Sequence, residues 1–226
     1  MAEPLSVVSR QIAADLLSIA AVSFAPDNPY TWASGLRSPV YCDNRLTMGY
    51  VPVRRAISAG FAACIDTYEL HPEVIAGTAT AGIPHAAWLA ERLSLPMVYV
   101  RSKPKAHGRG HQVEGSLEGG RRVVVIEDLV STGMSSVAAA QAVQAVGAEV
   151  VAVLAIFSYG LPAAATAFEA AGIPLYTLTT FDTLLNVAEV RGLLAPEAVT
   201  SLQVWHQDPE GWSLVNGHSS LGMGNE

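Results

Sequence analysis

Five short runs of β-branched and aliphatic residues punctuate the chain between residues 73 and 180: EVIAG (73–77), MVYVR (97–101), RRVVVIED (121–128), EVVAVLAIF (149–157) and LYTLTT (175–180). Each is too short and too evenly apolar for an amphipathic helix, and reads as a strand buried on both faces. Helical patterns separate them, over Pro84 to Leu93, Ser135 to Val146 and Pro162 to Ala171. Strands alternating with helices predict an α/β fold, a parallel sheet closed by right-handed crossovers and flanked by helices. Ahead of it, Gln11 to Ala21 sets Ile12, Leu16, Ile19 and Ala20 at helical spacing. A second helix, Val53 to Tyr68, sets Ile57, Phe61, Cys64, Ile65 and Tyr68 on one face. The Pro-, Asn-, Asp- and Gly-rich stretch between these helices predicts short strands and tight turns. The expected organisation is one domain: a small N-terminal α/β cap (1–70), a core (71–180), and a C-terminal helical segment and tail (181–226). The Gly- and Ser-rich end, SLVNGHSSLGMGNE, reads as frayed.

Composition narrows the class. The chain has 226 residues, half of them hydrophobic and 15% charged, enough for one sizeable core and too apolar for extensive disorder. A net charge of −7 argues against a general nucleic-acid binder. Two cysteines, Cys42 and Cys64, fit neither a disulfide framework nor a zinc pattern. No apolar stretch approaches the ~20 residues of a membrane helix, and the N-terminus lacks the pattern of a signal peptide. The expectation is a soluble cytoplasmic protein.

The chemistry concentrates in two places. In VVVIEDLVSTGMSS a buried strand ends on Glu127-Asp128 and runs into a turn of small and hydroxylated residues. Backbone N–H groups at a helix start, with hydroxyls beside them, suit an anion, and Gly133 lets the backbone come close. The pattern is neither a Walker loop nor GxGxxG. Acids just before such a cradle suit a ligand that carries hydroxyls beside its phosphate, such as a ribose. Equally, Asp128 and Ser131 could simply cap the next helix. The second place is YVRSKPKAHGRGHQVEG (99–115), which gathers Arg101, Lys103, Lys105, His107, Arg109 and His111 in an otherwise acidic chain. A solvated charged loop is the plain alternative. A site for concentrated negative charge, closed over by a Gly-containing loop, is the functional one.

The first motif resembles the phosphoribosyl-pyrophosphate (PRPP) motif of the type I phosphoribosyltransferases. The resemblance implies that Glu127 and Asp128 meet the ribose hydroxyls and that Leu129, Val130, Ser131, Thr132, Gly133, Met134 and Ser135 form the 5′-phosphate loop. RSKPKxHG followed by EG is similar to the mobile catalytic loop of the orotate phosphoribosyltransferase branch. There an Arg, a Lys and a His reach the pyrophosphate in the neighbouring subunit's site. The matching positions are Arg101, Lys105 and His107, with Lys105 and Asp128 implied as the catalytic pair. TWASGLRSPVYCDNRL (31–46) resembles the branch's base-binding segment, and GTATAGIPHAAWLA (77–90) its pyrophosphate turn at Gly82. Ser131 and Tyr41 are implied contacts for orotate. The chain departs from some members in carrying Ala33 and Ala81 where those have lysine. The resemblance further implies Mg²⁺ bound mainly through PRPP, a homodimer, and no dedicated metal site, nucleic acid or membrane partner. A purine-type phosphoribosyltransferase and a non-catalytic PRPP sensor are the rival readings.

Overall fold

A computed structural model describes residues 4–26, 28–32, 35–103 and 112–216. The chain opens with α1 (Leu5–Ser18), then β1 (Val22–Phe24), β2 (Tyr30–Thr31), β3 (Arg37–Ser38) and β4 (Val40–Cys42), a 3-10 turn (Asn44–Gly49) and α2 (Val51–Thr67). The core follows as β5 (Val74–Thr78), α3 (Gly82–Leu93), β6 (Met97–Val100), β7 (Val113–Glu114), β8 (Arg122–Val130), α4 (Met134–Ala145), β9 (Glu149–Ser158), α5 (Pro162–Ala171) and β10 (Leu175–Thr180). It ends in α6 (Phe181–Val190), α7 (Pro196–Gln207) and α8 (Pro209–Asn216).

The six-stranded sheet runs β10-β9-β8-β5-β6-β7, parallel throughout except for β7, which pairs antiparallel with β6. All five expected strands are present, and the sixth, two residues long, carries no sequence signal of its own. Strand periodicity splits the core in two. Val124 and Ile126 face one layer with α1, α2, α3 and the C-terminal helices, while Val123 and Val125 face a second layer with α4 and α5. A bulge in β9 lets Val150 and Ala152 pair with the consecutive Val123 and Val124, which keeps the two faces in step.

Several local expectations need correcting. α1 begins at Leu5, not Gln11, and stops at Ser18, so Ile19 and Ala20 lie beyond its end. Tyr68 is not on the buried face of α2: it is 42% exposed and its ring stacks on Tyr176 at 3.8 Å. Residues 213–216, read as part of a frayed end, belong to α8, and Ser213 Oγ accepts the Arg37 N–H at 2.9 Å. Trp205, fully buried, donates its indole N–H to the Arg37 carbonyl at 3.2 Å and packs against Trp32 and Tyr159. The C-terminal helices thereby hold Trp32 and Arg37. Residues 217–226 lie outside the described residues.

His85 on α3 is 2% exposed, and Thr47 Oγ1 lies 3.1 Å from its Nε2. Burial lowers its pKa to about 4, so the folded protein holds it neutral. The unfolded chain binds that proton near pH 6.5, so the stability tied to neutral His85 is complete above that pH and is lost as pH falls toward 4. We expect the stability difference between wild type and His85→Phe to shrink by about 1.6 kcal/mol between pH 6.5 and pH 5 in urea titrations. A pH-independent difference would mean that folding leaves the His85 pKa where the unfolded chain has it.

Candidate active site

The site forms where the connections of the sheet reverse direction. β5 and β8 are neighbours, but α3 leaves β5 to pack on one face and α4 leaves β8 to pack on the other. Their carboxyl ends therefore open a crevice, the ligand position in open α/β sheets. A cavity of about 410 Å³ occupies it, walled by Thr78 and Ala79 after β5, Arg101, Ser102 and Gln112 from the β6–β7 connection, and Glu127, Asp128, Leu129, Ser131 and Ser135.

Two helices begin beside this cavity, and neither is capped by a side chain. α4 starts after Gly133, whose φ of +79° few other residues adopt cheaply, and α3 starts after Ala81. The capping alternative for Asp128 and Ser131 is therefore not what the fold uses. The first-turn N–H groups of α4 are left to a ligand, and the positive end of the helix favours an anion there. At α3, Gly82 packs so closely that a Cβ would sit 2.4 Å from both the Ile126 carbonyl and Thr78 Oγ1. The Ala79–Thr80 peptide in this turn is cis.

The two acids of the pair differ in burial and in partners. Glu127 is only 7% exposed; its Oε1 accepts from Thr78 Oγ1 at 2.7 Å and from the Asp128 N–H at 3.0 Å, and its Oε2 from Ser136 Oγ at 3.0 Å. Burial first, and the Asp128 charge second, push the Glu127 carboxyl above its ordinary range. Burial also raises Asp128, whose backbone carbonyl accepts from Asn44 Nδ2. Arg101 stands on the wall of its own chain's cavity, with one guanidinium nitrogen 3.5 Å from Glu114. Mutual bonds between Arg101 and Gln112 pin the two ends of the segment between them.

The remaining expected residues distribute as follows. Ser131 and Ser135 reach the cavity wall, Thr132 and Met134 are exposed at the loop, and Gly133 is buried against Phe168. Val130 turns its side chain into the core and its backbone pairs with β9, its carbonyl accepting the Tyr159 N–H, so its side chain offers a ligand no contact. Tyr41, 40% exposed on β4 and 5.4 Å from the Tyr30 ring, stands apart from the cavity lining. Lys105, His107, Arg109, His111 and Ala33 lie outside the described residues, and Lys103 is exposed. Thr78, Ser136, Asn44 and Gln112 went unassigned in the sequence: each is an ordinary polar residue there, and only the fold brings them to the acidic pair or the cavity.

A sheet with this crevice, with an acid pair and two open helix starts on its rim, defines a phosphoribosyltransferase, and the profile of the phosphoribosyl transferase domain matches residues 52–165. The orotate phosphoribosyltransferase of Lactiplantibacillus plantarum is 51% identical over 212 residues, 94% of this chain and 100% of its own. That of Bacillus pumilus is 54% identical over 207 residues, 91% of this chain and 98% of its own. Among solved structures, the orotate phosphoribosyltransferase from Aeropyrum pernix aligns with a TM-score of 0.67 at 30% identity, over 81% of this chain and 99% of that one. The chain belongs to the orotate phosphoribosyltransferase family.

Proposed function

We propose that the switch-point cavity transfers the 5-phosphoribosyl group of PRPP to orotate, giving orotidine 5′-monophosphate and pyrophosphate in pyrimidine nucleotide synthesis. The observation that carries this reading is the meeting of an acid pair with two uncapped helix starts at the ends of β5 and β8. The 5′-phosphate would lie on the Ser131–Ser135 loop and α4. The diphosphate would lie toward the Thr78–Gly82 turn and Arg101, and the ribose hydroxyls against Glu127 and Asp128. Ser131 would hold orotate, with Tyr41 as a candidate wall for the pyrimidine.

The bond from the anomeric carbon to pyrophosphate breaks, with oxocarbenium character on the ribose, and the bond to the ionised ring nitrogen of orotate forms. No protein nucleophile is required. The protein's share is to position the two substrates and to offset charge on the departing pyrophosphate. Asp128 and Glu127 fix the ribose; Arg101, Lys105 and His107 balance the leaving group. Phosphoribosyltransferases generally use Mg²⁺ with PRPP, and the oxygen-donor wall fits a hard cation carried on the PRPP oxygens, with Asp128 as the protein carboxylate at hand. Bound in that way, the ion would neutralise diphosphate charge. Among the described residues no helix is long and apolar enough to cross a membrane. Both cysteines are free and buried, which suits the cytoplasm as the place of work.

The test follows orotate by its ultraviolet absorbance with PRPP and Mg²⁺, with a panel of purine bases alongside. Orotate loss that needs both PRPP and Mg²⁺ is expected. Consumption of a purine base in its place would move the chain to another branch, and PRPP binding without turnover of any base would make it a sensor.

A further inference from the structure

We propose that Asn44 is a positioning residue for the acid pair, its side-chain amide standing in for the strand that β8 lacks beyond the end of β5. It holds the Asp128 main chain from behind, so that the carboxyls of Glu127 and Asp128 are set to meet the ribose. The inference rests on the assignment of this cavity to PRPP, and gives Asn44 its part in the reaction without contact to substrate.

The backbone pairing of β8 carries it. Alternate carbonyls of this strand face β5: that of Arg122 accepts the Glu73 N–H at 2.8 Å, and that of Ile126 the Thr78 hydroxyl at 3.2 Å. Asp128 comes next in that row. Pairing with β5 has ended by then, at Gly77 and Ile126, while β9 stays paired as far as Val130. The Asp128 carbonyl thus lacks a partner strand, and Asn44 Nδ2 donates to it instead. The amide is itself held. Its Oδ1 accepts the Cys42 thiol at 3.3 Å, which turns the NH₂ group toward Asp128, and the Asn44 carbonyl accepts from Thr47 Oγ1. Turned over, the amide would set oxygen against oxygen and leave the Asp128 carbonyl without a donor. Asn44 is 1% exposed and is not among the residues that wall the cavity, whereas Glu127 and Asp128 both are. It opens the 3-10 turn after β4, so the tie runs from the N-terminal cap to the acid pair, 84 positions along the chain.

A lost donor leaves a buried acceptor unsatisfied, and the strand end that carries both acids is then free to shift. The test separates that shift from general loosening by using two ligands. Calorimetry on the full-length protein with Mg²⁺ measures the affinity for PRPP and for pyrophosphate, which has no ribose, and Tm reports folding. Asn44→Ala is expected to weaken PRPP about tenfold, lower kcat/KM for PRPP at least as much, and leave pyrophosphate within about twofold of wild type. Asn44→Leu keeps the branching at Cγ while removing the donor, and should show the same split between the ligands. It decides the matter should Asn44→Ala not fold. The proposal is overturned if a folded variant loses affinity for PRPP and pyrophosphate equally, since the whole site has then loosened. It is equally overturned if only Tm falls, with kcat and both affinities unchanged, because Asn44 is then part of the scaffold alone. Failure of the wild-type enzyme to consume orotate sinks the functional assignment instead, and that control separates the two.

Discussion

Replacing Lys105 with alanine is expected to lower kcat about 10²–10³-fold while changing PRPP affinity far less. The reason lies in what the described cavity wall lacks. Among its described residues Arg101 is the one cation, and Glu114 already offsets part of its charge. The turn before α3 carries Ala81, which offers no charge. On the proposed assignment, charge that develops on the departing pyrophosphate falls to the 101–111 segment, in which Lys105 is the proposed catalytic lysine. A contact that strengthens in the transition state appears in kcat; one of equal strength before and during reaction appears in KM alone. A loss confined to KM would remove Lys105 from the catalytic role. Mixing Lys105→Ala with Asp128→Asn asks where the segment acts. If it works in the partner's site, random pairing makes half the dimers mixed, each with one intact site. Activity should then return to about a quarter of wild type per subunit. If it works within its own chain, no activity returns.

Burial explains which parts of this fold could be read from the chain. Strands packed on both faces leave unbroken runs such as Val123–Ile126, and those runs stand out without any partner being known. α5 was legible to both ends, since Pro162 opens it and Gly172, at φ +64°, closes it. β7 is two residues stitched to β6, and Tyr68 is placed by Tyr176, more than a hundred positions away. Neither contact leaves a local trace. At the site, the acid pair and its hydroxyl-rich turn were visible as a motif, but not the division of labour within it. Four hydroxyls follow Asp128, and helix geometry alone sends Ser135 to the cavity and Ser136 to Glu127. Thr78 reaches the same carboxylate from 49 positions earlier, in a stretch whose pattern marks only a turn.

Gly82→Ala should be the most damaging single-methyl change at the site. A Cβ there would lie 2.4 Å from the Ile126 carbonyl and 2.4 Å from Thr78 Oγ1, contacts that cannot be kept. The first of these is backbone in the central strand of the sheet, so relief must come from moving the start of α3 away from β8. Overpacking of this kind costs about 3 kcal/mol at the upper end of its usual range, read as a lower urea midpoint at unchanged slope. The activity loss should exceed what the stability loss explains. α3 follows the turn proposed for pyrophosphate, and Thr78 Oγ1 is both the atom displaced and the donor to Glu127, so the shift would pull the two ends of the proposed PRPP site apart. kcat/KM for PRPP measured well below the new melting temperature should therefore stay depressed. If the variant proves as stable and as active as wild type, α3 does not pack against β8 as closely as this geometry requires.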